Sequence, residues 1–260
     1  MDKSNSLIKR LIVLTLSVLF FYIFLKTKFL VDNTQDITSN VILILIVVVV
    51  YMIFVKYVKK QNLITEKYMK TENGNWFWKL KLICLGICFE LLVTLCSKLY
   101  LNSNTENQKH VEKQNQHLDM YTQLVHESLN AGIIEEICFR GLIFIFIFTI
   151  FNFFFNEKKY NHDWLSLGLF VLISSLAFGF AHVLRGADWN HIWVYALSGV
   201  IFSLLFIFSK DIKTCMICHA LTNAFPIFNH NHLSVIEWTI CIVSLTISVC
   251  YVVRIFRKWL

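Results

Sequence analysis

The chain has 260 residues, 57% of them hydrophobic, a formal net charge of +7 and one proline, Pro226. So many uninterrupted apolar runs exclude an ordinary soluble domain and point to a polytopic membrane protein. The basic residues are scattered over several loops rather than gathered on one patch, which excludes nucleic acid as a partner.

The first apolar run, 11–25, follows Lys9 and Arg10 and precedes Lys26 and Lys28. No small-residue cleavage site follows it, so it is expected as an uncleaved first helix. Hydropathy along the chain predicts eight spans, at 11–29, 39–55, 80–98, 131–152, 164–183, 192–208, 214–229 and 235–253. Period-2 alternation is absent, so helices rather than a barrel satisfy the backbone in lipid. The expected fold is all-α, a polytopic membrane protein with about eight transmembrane helices. Tryptophans such as Trp76, Trp164, Trp193 and Trp238 fall near span ends, where an aromatic belt belongs. The larger set of lysines and arginines (Lys9, Arg10, Lys56, Lys59, Lys60, Lys79, Lys81, Lys210, Lys213, Arg254 and Arg257 among them) shares one side with both termini. The positive-inside rule then predicts a multi-pass protein of the cell membrane with both termini cytoplasmic.

Three parts are expected: 1–130, with three helices, an extracytoplasmic loop and an interfacial helix; 131–229, a core of helices four to seven; and 230–260, a last helix with a basic tail. The polar stretch 102–118 reads as the extracytoplasmic loop, with His110 and His117 solvated. The amphipathic stretch 119–130 reads as the interfacial helix feeding the fourth span.

That fourth span opens with AGIIEEICFRGLIF, residues 131–144. Charges at hydrocarbon depth are costly and mark function by default. Glu136 and Arg140 are four apart, so they share a helix face and can pair. Glu135 points about 100° away and is left to find a partner on another span. A packing network that only fixes helix positions is the bland alternative. The fifth span ends with Phe178 and His182. The seventh carries His219 and Asn223 on one face, a pairing that serves equally as helix-packing glue or as donors to a polarised carbonyl. Separately each is weak; together three spans offer the polar groups that hydrolysis needs.

The eight cysteines lie in apolar runs and read as small buried hydrophobes. Cys215, Cys218 and His219 spell the C-x-x-C-H pattern of c-type haem attachment. That attachment needs a soluble extracytoplasmic pocket, whereas this motif opens a membrane span, so no haem is expected.

EExxxR (Glu135, Glu136, Arg140), FxxxH (Phe178, His182) and HxxxN (His219, Asn223), in that order, resemble the CPBP family. These are CAAX proteases and bacteriocin-processing enzymes, also called Abi, related to type II CAAX prenyl endopeptidases. The resemblance spans residues 131–226 and leaves the first three spans uncovered. It implies an intramembrane endopeptidase that cuts a membrane-associated peptide or protein within the lipid bilayer. It also implies the roles: Glu135 and His182 activate water, His219 and Asn223 stabilise the oxyanion, and Glu136 and Arg140 support the site. Maturation of a bacteriocin or pheromone, or self-immunity, is the implied biology. The rival chemistry is a metalloprotease holding a divalent metal such as zinc on Glu135, His182 and His219. The motif lacks the HExxH arrangement of common zinc proteases, which favours glutamate chemistry without a cofactor. A non-catalytic scaffold or immunity protein of the same fold, and a transporter, are the rivals from other classes.

Straight helices raise one difficulty. They put Glu135 ~33 Å from Glu157, and His182 ~27 Å from Trp164, both near the outer face. They put His219 only ~9 Å from Lys213, near the inner face. Either a connection dips into the membrane, or a span or its boundary is misplaced, with Pro226 as a candidate break.

Overall fold

In a computed structural model of the chain, the described residues are 3–32, 36–61, 76–101, 118–154, 163–184 and 187–259. The loop expected at 102–118, with His110 and His117, lies outside them except for Leu118. These residues form eight helices and no strand. They are α1 (Lys3–Asp32), α2 (Ile37–Lys60), α3 (Trp76–Leu101), α4 (120–154), α5 (Asp163–Val183), α6 (Ile192–Ser209), α7 (Ile212–His230) and α8 (Ser234–Trp259). The all-α membrane fold expected from hydropathy is the fold observed.

Six of the helices are long and apolar enough to cross a membrane as unbroken α-helices: α1, α2, α3, α5, α6 and α8. The other two, α4 and α7, carry most of the motif residues. α7 is the more polar, its polar side chains buried by neighbouring helices instead of lipid. α4 is interrupted by π-helical turns and ends in the strongly apolar stretch Ile143–Phe154. The lipid-facing side is legible in the exposed apolar rows, such as Ile42, Leu45, Ile46, Val49 and Ile53 of α2 and Val235, Trp238, Ile242 and Leu245 of α8. A soluble protein does not leave such surface bare.

The expected interfacial helix is not a separate element. Asp119 caps the start of α4, its carboxylate accepting from the amides of Tyr121 and Thr122. The helix then runs on through Asn130 into the charged motif. Its middle is π-helical, over Leu124–Glu135 and Ile137–Leu142, before an α-helical end at Ile143–Phe154. Single π turns inside α-helices concentrate at functional sites, and here the wider turn spans the whole EExxxR motif. More residues per turn means a smaller angular step than the ~100° of an α-helix. Glu135 and Glu136 therefore face more nearly the same side than an α-helical reading predicts.

α7 packs against the first half of α4. A Cβ at Gly132 would lie 2.7 Å from the Ala220 Cβ and 2.9 Å from the Met216 carbonyl oxygen, so only glycine permits this approach. Ser128 Oγ donates to the Ala220 carbonyl at 2.7 Å, and Asn223 Nδ2 to the Glu127 carbonyl at 3.0 Å. From Ile212 to Ala220 α7 advances ~12 Å, while α4 runs ~30 Å from Gly132 to Phe154. α7 therefore starts part-way along α4 instead of level with its end. The helix is continuous through Pro226, so the proline is not the break it suggested.

On the other side α5 and α6 form a tight antiparallel pair. A Cβ at Gly199 would meet the Ser175 Cα at 2.7 Å. Ser174 Oγ then reaches the Phe139 carbonyl of α4 at 2.8 Å. Cys215 and Cys218 are fully buried, their thiols donating to the Phe202 carbonyl at 3.3 Å and the Ile83 carbonyl at 3.8 Å. That is the packing role expected of them. Cys96 and Cys250 depart from it and are exposed.

Candidate active site

Begin with the pair that sequence spacing predicts. Arg140 Nη1 donates to Glu136 Oε1 at 2.9 Å, and both side chains are fully buried. A buried pair holds only when further bonds satisfy it. Arg140 Nη2 adds the Gly199 carbonyl at 3.2 Å. The guanidinium also lies 4.5 Å from the Phe178 ring centroid and 5.2 Å from that of Phe202. Glu136 Oε1 accepts a second bond, from His219 Nδ1 at 2.8 Å. The Glu136–Arg140 pair thus ties α4 to α6 and α7 and fixes the His219 ring, which stacks on Phe202 at 4.6 Å.

The FxxxH spacing has an equally local cause. His182 Nδ1 meets the Phe178 carbonyl at 2.9 Å, one turn back on α5. A carbonyl oxygen only accepts, so this nitrogen carries the proton. The ring lies between Phe178, at 4.3 Å, and Tyr195, at 4.7 Å. Phe178 therefore serves two residues at once, His182 through its backbone and ring and Arg140 through its face.

Glu135 sits where these arrangements converge, 4% exposed. His182 Nε2 is 3.5 Å from its Oε2, and His219 Nε2 is 4.0 Å from the same oxygen. Both imidazoles have Nδ1 held by an oxygen, which turns Nε2 toward Glu135. The groups that straight helices keep apart do meet. α4 begins at residue 120, so Glu135 lies mid-helix; α7 starts part-way along α4; and helical side chains lean toward the N-terminus, which carries His182 inward. Asn223 is one turn beyond His219, and one N–H of its amide is spent on Glu127.

Two further charges enter this region that motif reading does not supply. Lys28 of α1 puts Nζ 3.2 Å from Glu135 Oε1. Glu90 of α3, mid-span, accepts from Ser198 Oγ at 2.8 Å, one residue from the carbonyl that holds Arg140. Glu90 carries a usable sequence signal, a carboxylate amid an apolar span. Lys28 carries none, since a lysine at a span end reads as an interfacial anchor.

Glu135 Oε2 is buried and has no hydrogen-bond partner among the described residues. When neutral, both facing Nε2 atoms are acceptors as well. Three acceptors around one point need a proton, a water or a cation between them. Two imidazoles with oriented Nδ1 atoms and one carboxylate are donors of the type zinc takes, but among the described residues no group of three His, Cys, Asp or Glu is placed to hold a metal ion.

Fold and site together define a polytopic helical membrane protein with a buried Glu–His–His cluster contributed by three helices. Residues 118–225 match the family described as type II CAAX prenyl endopeptidase Rce1-like. The chain is also 31% identical over 104 residues to a protein of Bacillus subtilis (strain 168) named putative membrane peptidase YdiL. Those residues are 40% of this chain and 35% of that protein, so the match spans about a third of its length. No solved structure matches the chain. The matched residues are thus similar to the Rce1-like endopeptidases, and all three motifs fall within them.

Proposed function

We propose that the chain is an intramembrane endopeptidase of the cell membrane, with both termini cytoplasmic, that hydrolyses a peptide bond in a membrane-associated peptide or protein. The observation that carries this is the approach of His182 Nε2 and His219 Nε2, at 3.5 and 4.0 Å, to one orphaned oxygen of Glu135. A water among these groups loses a proton to Glu135 Oε2, helped by His182, and its oxygen attacks the scissile carbonyl carbon. The oxyanion is met by His219 and the remaining N–H of Asn223, donors held in place before reaction. With Nδ1–H committed to Glu136, His219 donates through Nε2 only when both ring nitrogens carry protons. The proton on Glu135 passes to the leaving amine as the C–N bond breaks. Glu136 and Arg140 position His219 and touch no substrate.

A second reading rests on the donor types of this cluster alone. If the enzyme is metal-dependent, Glu135, His182 and His219 would hold a divalent cation such as zinc. It would supply a metal-bound water that ionises near neutrality and polarise the carbonyl.

Bacteriocin or pheromone maturation, or self-immunity, is the biology we favour, with prenylated CAAX proteins as a lesser candidate. The test compares membrane peptides in cells carrying the wild type or Glu135→Ala, with insertion checked in both. A peptide that accumulates uncut only with Glu135→Ala supports hydrolysis. Unchanged processing or immunity with an inserted Glu135→Ala protein makes the chain a non-catalytic scaffold. Ion flux through the wild type in proteoliposomes without any cleavage makes it a transporter.

A further inference from the structure

α1 lies outside the matched residues, yet it brings one charge to the centre of the site. Lys28 Nζ is 3.2 Å from Glu135 Oε1, and the Lys28 side chain keeps 22% of its surface exposed against 5% for Glu135. The two oxygens of this carboxylate therefore face different company: the ammonium on one side, the imidazoles of His182 and His219 on the other. Glu136, its neighbour in sequence, has its own cation in Arg140. Two adjacent carboxylates at this burial need two cations, and only one comes from α4 itself.

We propose that Lys28 is a positioning residue for the hydrolysis: its ammonium pins Oε1 of Glu135, so that Oε2 alone faces the water and the two imidazoles. This rests on the reading of Glu135 as the base. The physical need is specific. The terminal torsion of a glutamate is broad and two-fold, so packing alone distinguishes its two oxygens poorly. A point cation on one oxygen removes that freedom. Lysine suits the task, because its long stem can lie along α1 with its head in the site. α1 is thereby part of the active site and more than a membrane anchor.

The test uses the full chain in proteoliposomes. The probe is a quenched-fluorescence peptide with the sequence of whatever accumulates uncut in Glu135→Ala cells. Lys28→Met keeps the stem and removes the charge; Lys28→Arg keeps the charge. Lys28→Met is expected to lower kcat by about 10- to 100-fold, the scale of a misplaced reacting group, with KM changed less than about twofold. Lys28→Arg restores most of the loss. An unchanged kcat in Lys28→Met overturns the proposal, as does an arginine variant no faster than the methionine one. A loss confined to KM also overturns it, since Lys28 would then hold substrate. Glu135→Gln in parallel keeps the two readings apart: if it cleaves like wild type, the base assignment fails whatever Lys28 does. Should Lys28→Met not survive extraction, the pairing is read from Lys28→Met/Glu135→Gln. Removing both charges should restore the folded protein that Lys28→Met alone loses on extraction, and a double variant recovered no better than the single one contradicts the pairing.

Discussion

The matched core, α4 to α7, and the flanking helices α1, α2, α3 and α8 treat charge in opposite ways. In the core, Glu136 and Arg140 are fully buried and bonded to each other, to His219 and to Gly199. On the flanks most surface is apolar and bare to lipid, and the charged side chains that turn inward are few. Lys28 reaches Glu135, and Glu90 reaches Ser198. The core builds the constellation and the flanks trim it. α7 falls short of the apolar content of a free-standing span, and its neighbours shield its polar side chains.

The largest effect should come from breaking the core's own pair. Arg140→Met strands the buried Glu136 carboxylate without its cation and loosens the group that holds His219, at a cost of about 3–5 kcal/mol. The expected outcome is loss of folded protein on detergent extraction, measured by size-exclusion and thermal melting. A normal melting temperature would show that the core does not depend on this pair. Next comes His182→Ala, which leaves the Glu136–Arg140 pair untouched. Cleavage should fall by about 10²- to 10⁴-fold, the range for a general acid or base, while the melting temperature stays close to wild type. A flank substitution should do less. Glu90→Gln keeps an acceptor for Ser198 and should shift stability by no more than about 1 kcal/mol, with cleavage retained. If cleavage collapses instead, the working site extends into α3 and the division between core and flank is drawn wrongly.

The smallest effect concerns where α4 begins. The Thr122 hydroxyl and amide hold the Asp119 carboxyl below its ordinary value of 3.8. A lowered value means that the cap stabilises above the ordinary carboxylate range and is lost as pH falls through the lowered one. Asp119→Ala, or strong acid, should speed amide exchange at Met120–Thr122 and leave the motif residues protected. Fraying that spreads to Glu135 would mean that the first turns and the motif unfold together.

The sequence carried most of this architecture for a simple reason. Helices in lipid must be apolar over about 20 residues, so hydropathy locates them. The motifs were legible because their logic is local: i,i+4 spacing pairs Glu136 with Arg140 and joins His182 to the Phe178 carbonyl. Three things were not legible. The start of α4 was hidden because the stretch 119–130 is amphipathic, as an interfacial helix would be, although here α2 and α7 cover it. Buried His126, for example, meets Asn40 of α2 at 2.6 Å. The meeting of Glu135 with His219 was hidden because α7 starts part-way along α4, a matter of packing at Gly132 and Ala220. Lys28 was hidden because its partner lies more than a hundred positions away, and nothing near it in sequence announces a carboxylate.

In the proposed reaction Glu135 delivers water to a peptide bond. The direct measurement is ¹⁸O incorporation from labelled water into the new carboxyl terminus of the cleaved peptide. It compares the wild type with a folded Glu135→Gln protein in the same proteoliposomes. Labelled product is expected from the wild type and at least about 100-fold less from Glu135→Gln. Labelled product at equal rates from both proteins would contradict it.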